Sequence, residues 1–211
     1  MSIRLPDALT DPDDSLALQL LRRYYGDPYG CPGCAVGAAF DTWDSTGSRA
    51  ADANRFTADD LVAVTFLSVH VPPLAAQALL RDRASVFADL LAELGPDRDL
   101  ADETDVLHDG WVGWHLRKEL LGLPGVGPTL ATKLFARKRP RLRPIWDSVV
   151  SAVTGTAGQQ WEPMRQALRE NDLELHRRLS RLRRAAGLPA QVSALRILDV
   201  VCWREGKDRG L

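Results

Sequence analysis

The stretch that decides the fold is LPGVGPTLATKLFARKRPRLRPIWDSVV, residues 123–150. Gly122 closes one helical run, and Leu123-Pro124-Gly125-Val126-Gly127 then makes a tight hairpin. Glycine allows positive φ and lets a foreign surface approach the backbone. Pro128 suits the first position of the next helix, where its missing N–H costs nothing. That helix places Leu130, Ala131, Leu134 and Phe135 on one face, and Thr129, Thr132, Lys133 and Arg137 are expected to fall toward solvent. Free amides at a helix start beside glycines suit a phosphate. Lys133, Arg137, Lys138, Arg139, Arg141 and Arg143 follow within reach of a long anion.

Outward from this stretch, helical spacing recurs and strand signals are weak. Residues 15–25 read as a helix with Leu16, Leu20, Leu21 and Tyr24 inward. Residues 26–54 are rich in Gly, Pro, Asp and Ser and read as loop. Thr57 is an N-cap with Asp60 at the capping-box position, and Phe56 and Leu61 are placed as a staple. That helix stops at Pro72-Pro73; the next covers 74–94, with a break near Asp82, and ends at Gly95. Further helices are expected over 111–121, 147–154, 171–186 (opened by Asn171 with Glu174) and 190–205. The reading is an all-α, compact multi-helix chain. Residues 1–56 form an N-terminal helix and loop-rich region, residues 57–211 the helical core, and the two make one unit.

Composition excludes several classes. With 45% hydrophobic and 26% charged residues, the chain is globular in type. No apolar run approaches a membrane span, and the acidic start MSIRLPDALTDPDD lacks a secretory pattern, so a cytoplasmic protein is expected. There is no P-loop, dinucleotide fingerprint, HExxH or ordered Ser-His-Asp set. Cys31 and Cys34 form a CPGC unit with no second pair, so no metal and no cofactor are expected. The unit reads as a tight turn around Pro32-Gly33; a redox pair is the other reading, without the usual βαβ surroundings.

The net charge of −1 hides an asymmetry. Residues 1–110 hold 8 Lys/Arg against 19 Asp/Glu, and residues 111–211 hold 19 against 9. Either one face meets a polyanion, or the two halves attract each other. The basic run HRRLSRLRR, residues 176–184, divides the same way.

The Leu123-Pro124-Gly125-Val126-Gly127 core with Ala131 resembles the helix-hairpin-helix motif of DNA-binding proteins. The resemblance implies that the hairpin, through Gly125, Val126, Gly127 and Thr129, holds phosphates of duplex DNA, with Lys133, Arg137, Lys138, Arg139, Arg141 and Arg143 adding affinity. In the helix-hairpin-helix DNA glycosylase superfamily, a catalytic Asp opens the helix after the hairpin. Pro144-Ile145-Trp146-Asp147 is similar in character and spacing. The resemblance therefore implies a glycosylase-like fold and a monofunctional base-excision role, Asp147 stabilising the cation that builds on the sugar. The plain alternative for Asp147 is an N-cap.

The departures matter too. Bifunctional members carry a lysine two residues after the second glycine; Thr129 stands there, and Lys133, four residues further on, is a poor substitute, so no strand-cleaving lyase step is expected. The four-cysteine cluster loop of some members is absent. Thr65-Phe66-Leu67-Ser68-Val69-His70 looks like the family's helix before its wedge loop, with His70 at the wedge position. A packed loop residue is the plainer reading of that His. Trp146, beside Asp147, and Tyr24, Tyr25, Trp43, Trp111 and Trp114 are candidates for stacking on an extruded base, or core aromatics. The whole chain also looks like an uncharacterised helix-hairpin-helix family that supplies no activity. A non-catalytic DNA-binding module, or an interaction domain with an acidic partner, are the alternative functions.

Overall fold

The structure is a computed structural model and describes residues 3–156 and 161–211. Every regular element among the described residues is helical. In chain order these are α1 (Asp7–Thr10), α2 (Ser15–Tyr25), α3 (Ala58–Ala63), α4 (Pro73–Gln77), α5 (Ala84–Leu94), α6 (Val112–Leu121), α7 (Pro128–Lys138), α8 (Ser148–Thr154), α9 (Trp161–Ala185) and α10 (Ala194–Asp208). Short stretches of tighter helix at Val36–Asp41, Val64–Leu67 and Leu100–Asp102, and one of wider helix at Ala78–Asp82, join them.

Local chemistry sets the boundaries. Gly26 closes α2 with φ +86°, and Gly95 closes α5 with φ +83°. Thr57 and Asp60 form the capping box of α3. Arg83, at φ −125°, separates the turn after α4 from α5, one residue past the break expected near Asp82. The long α9 departs from expectation. It begins at Trp161, and Asn171, Asp172 and Leu173 interrupt it with left-handed backbone. Asn171 therefore marks a kink within the helix rather than its start. The turns before the kink bury Trp161, Met164 and Leu168. Pro163 fits there because the first-turn amides have no intrahelical acceptor.

The helix α7 lies at the centre. Leu130 through Lys138 are all buried, so no face of it is left for solvent over those residues. The expectation of an outward Thr132, Lys133 and Arg137 is corrected: α3, α6 and the Val64–Leu67 turn enclose the helix. The ends of the chain meet. The backbone N–H of Arg4 donates to the Thr154 carbonyl at 2.9 Å, and Glu205 accepts from the amides of Asp7 and Ala8, each at 2.9 Å. Against this, α2 packs along α10.

Much of the charge asymmetry resolves into internal pairs. Asp60 accepts from Arg137 Nε at 3.0 Å and Lys138 Nζ at 2.8 Å, with all three side chains at most 2% exposed. Arg141 pairs with Asp99, Arg178 with Asp14 and Arg196 with Asp41. The basic run divides: Arg178 also donates to the carbonyls of Leu9 and Asp11, whereas Arg177, Arg181 and Arg184 are exposed.

Asp60→Ala leaves two buried cations without a carboxylate and is expected to cost about 3–5 kcal/mol in urea unfolding. Arg141→Ala, at a half-exposed pair, is expected to cost under about 1 kcal/mol. Equal losses from the two variants would contradict this ranking of buried over exposed pairs.

Candidate functional site

One cavity gathers chemically capable groups. It measures about 270 Å³ and is lined by Tyr24, Phe66, Lys133, Asp147, Arg196, Asp199 and Trp203, with Ala35, Val36 and Gly37 forming one wall. This approaches the lower end of small-molecule sites, at about 300 Å³. A larger cleft of about 410 Å³ lies between the N-terminal arm and α9, but it is mostly aliphatic and holds none of the groups above.

Each side chain arrives for a traceable reason. Asp147 is the N-cap of α8, its Oδ1 accepting from the Val149 amide at 2.9 Å. Its second carboxylate oxygen has no hydrogen bond to the described residues, and the side chain lines the cavity. Cap and cavity group are thus the same carboxylate. Lys133 lies one helical turn after Thr129, and positions four apart share a helix face. Its ammonium donates to the Leu67 carbonyl at 2.7 Å. Burial lowers its pKa, opposed by the charges of Asp147 and Asp199. Lys133 is therefore a cavity residue, and the expected surface contact to phosphate is corrected for it.

The floor comes from α10, where Arg196, Asp199, Val200 and Trp203 recur at helical spacing. Arg196 donates to Asp41 at 3.1 Å, to the Tyr24 hydroxyl at 2.7 Å, to the Gly37 carbonyl at 3.3 Å, and to Asp199. Burial pushes the Asp199 carboxyl up to about 6; Arg196 opposes the rise and Asp147 adds to it. Gly37 is needed at close quarters, since a Cβ there would meet the Tyr24 hydroxyl oxygen at 2.1 Å. Sequence reasoning missed Arg196, Asp199, Phe66 and Trp203 as site residues. The signal was present: two opposite charges three residues apart inside the apolar run ALRILDVVCW.

The hairpin residues Pro124, Gly125 and Gly127 are exposed, Thr129 is half-buried and Val126 is buried at 6%. The amides of Gly125 and Gly127 donate to no acceptor among the described residues. Gly125, at φ +75°, touches the loop after Leu67: a Cβ would meet Pro72 at 2.8 Å. The same loop carries the exposed His70 and, at its start, the carbonyl that holds Lys133. Hairpin, loop and cavity are thus contiguous.

The expected arginine footprint is corrected. Arg137, Lys138, Arg139 and Arg143 are at most 6% exposed. Arg137 donates to Asp60, the Phe40 carbonyl and the Trp43 carbonyl. Arg139 donates to the carbonyls of Gly95, Ala53, Lys138 and Leu91 and to Asn54 Oδ1. Arg143 lies over the Trp161 ring at 4.2 Å. Among Arg137, Arg139, Arg141 and Arg143, Arg141 is the exposed one, and Asp97 and Asp99 hold it. These cations were spent in folding. Trp146 is half-buried, its Nε1 has no partner among the described residues, and it does not line the cavity. Trp111 and Trp114 pack edge-on against Trp161 as core, Tyr25 is buried, and Trp43 donates to Asp59. Of the aromatic candidates, Tyr24 reaches the cavity.

Fold and cavity define an all-helical protein with a pocket lined by both charged and apolar side chains. By residues 17–206 the chain belongs to the family of unknown function DUF6308. Comparisons with curated proteins and with solved structures returned no match. No helix among the described residues is long and apolar enough to cross a membrane.

Asp199 gives a pH test. Its folded pKa, about 6, exceeds the ordinary 3.8, so the folded state holds the extra proton between those values. Its contribution to stability is fully present below pH 3.8 and is lost as pH rises through about 6. Wild type is expected to lose about 3 kcal/mol relative to Asp199→Asn over that window, in paired denaturant titrations. Parallel pH profiles for the two proteins would exclude a raised Asp199.

Proposed function

We propose that this chain is a DNA-binding protein of helix-hairpin-helix, glycosylase-like build whose cavity receives a nucleotide extruded from duplex DNA. The observation that carries the reading is the contiguity of hairpin, Leu67–Pro72 loop and cavity, with Asp147 lining the cavity and its second carboxylate oxygen without a hydrogen bond among the described residues. The exposed glycine amides hold phosphate, and His70 on the adjoining loop fills the space the nucleotide leaves. Tyr24, Phe66 and Trp203 offer flat surfaces to the extruded base.

In the hydrolytic reaction the bond from base to sugar breaks, the base takes the bonding electrons and a proton, and water adds to the sugar carbon. Asp147 stabilises the cationic sugar and orients that water. Asp199, titrating at about 6, is placed to exchange the proton. Lys133 adds fixed positive charge from the Leu67 carbonyl side. A borohydride-trapped adduct on Lys133 would replace the hydrolytic step with an amine-led one.

The burial of the arginines changes the expected salt dependence. Lys118, exposed and without an ion pair among the described residues, is a cation in the last turn of α6, which the hairpin follows. Duplex binding should show a shallow salt slope of about −1 to −2, reduced by about 0.9 in Lys118→Ala. The same burial favours a second reading, a cavity that takes a small unanchored ligand of nucleoside size.

The deciding experiment pairs anisotropy on intact and abasic-analogue duplexes with single-turnover base release from a panel of damaged duplexes. Tighter abasic binding and release slowed about 100-fold or more by Asp147→Asn are expected. Release unaffected by Asp147→Asn would remove its catalytic role. Absence of duplex binding, with saturable nucleoside binding, would favour the second reading.

A further inference from the structure

The CPGC unit directly precedes the wall of the cavity, and its backbone forms a turn that brings the two cysteines together. The Cys34 amide donates to the Cys31 carbonyl at 3.3 Å, which defines a four-residue turn. Pro32 suits the second position, and Gly33, at φ +94°, supplies the positive φ that a type II turn needs at the third. The first and fourth Cα atoms of such a turn lie within about 7 Å, and a disulfide spans about 4.4–6.8 Å. Both cysteines are free, and both residues are half-buried rather than enclosed. The third cysteine, Cys202, is 0% exposed, and burial pushes its thiol well above the ordinary range.

The turn is fixed at both ends. Gly30 donates to the Tyr25 carbonyl and Ala35 to the Tyr24 carbonyl, each at 2.8 Å. Cys31 Sγ rests against Gly26, where an added Cβ would come within 2.7 Å of it. Directly after Cys34 come Ala35, Val36 and Gly37, which form the cavity wall. Gly37 also accepts from Arg196, the residue that organises the floor. A covalent change at Cys34 is thus one to three residues from the wall.

We propose that Cys31 and Cys34 form a reversible dithiol–disulfide pair whose closure repositions the 35–37 wall of the cavity. A low-molecular-weight disulfide of the glutathione class is the oxidant. One cysteine thiolate attacks it, forming a mixed disulfide and releasing one thiol. The second thiolate then attacks the protein sulfur of that mixed disulfide, forming the Cys31–Cys34 bond and releasing the second thiol. The pair loses two electrons and two protons, and the oxidant gains them. The inference stands independently of any DNA substrate.

The test equilibrates the full chain in glutathione buffers of graded ratio, quenches with acid, alkylates and weighs the protein. Expected is a monomer about 2 Da lighter under oxidising ratios, with peptides linking Cys31 to Cys34, reversed by thiol. Cys202 should alkylate only after denaturation. Hydrogen exchange of residues 35–41 should shift on oxidation in wild type and stay constant in Cys31→Ser/Cys34→Ser. Free thiols at every ratio, or bridges only between molecules, would overturn the pair. A disulfide that leaves exchange at 35–41 unchanged would overturn its action on the cavity.

Discussion

The buried carboxylate of Asp60 is the constraint on which the architecture depends. One oxygen accepts from Arg137, and the other from Lys138 and from the Thr57 amide at 2.9 Å. A charge so deeply placed is tolerable only when it is paired and hydrogen-bonded, and here each oxygen is occupied. The arrangement ties the start of α3 to the last turn of α7. It thereby fixes the Val64–Leu67 turn that follows α3, whose carbonyl holds Lys133. The position of the cavity amine is set through this chain of contacts, beginning with an ion pair away from the cavity lining.

That same constraint explains where the sequence was legible and where it misled. Thr57 and Asp60 were readable as a capping box because capping depends on a three-residue spacing within one segment. Nothing in that spacing reveals that Asp60 also meets two cations nearly eighty residues later. The helix ends at Gly26 and Gly95 were legible for the same local reason, glycine being suited to positive φ. The kink in α9 was misplaced as a start because Asn171 suits both a cap and a left-handed residue.

The site divides similarly. Asp147 could be singled out because its neighbours and its interval from the hairpin are sequence properties. Lys133 was assigned to the wrong surroundings: four residues from Thr129 was read as distance, whereas on a helix it is adjacency along one face. The arginines were misread because a basic run looks the same whether it awaits a polyanion or acidic residues distant in the chain. The acidic first half of the chain held the other answer, and the internal ion pairs supply it.

Arg139 gives the fold one junction of a different kind. Its guanidinium donates to carbonyl and amide oxygens from two separate stretches of chain, Ala53–Asn54 and Leu91–Gly95, none of which can gain a proton in ordinary buffers. Acidification neutralises the carboxylates that clasp Arg137, Lys138 and Arg178, but it leaves these acceptors unaltered. The molecule thus possesses two orders of fastening, one dissolved by acid and one indifferent to it. Loosening should begin where carboxylates serve as latches and reach the Gly95–Arg139 crossing last.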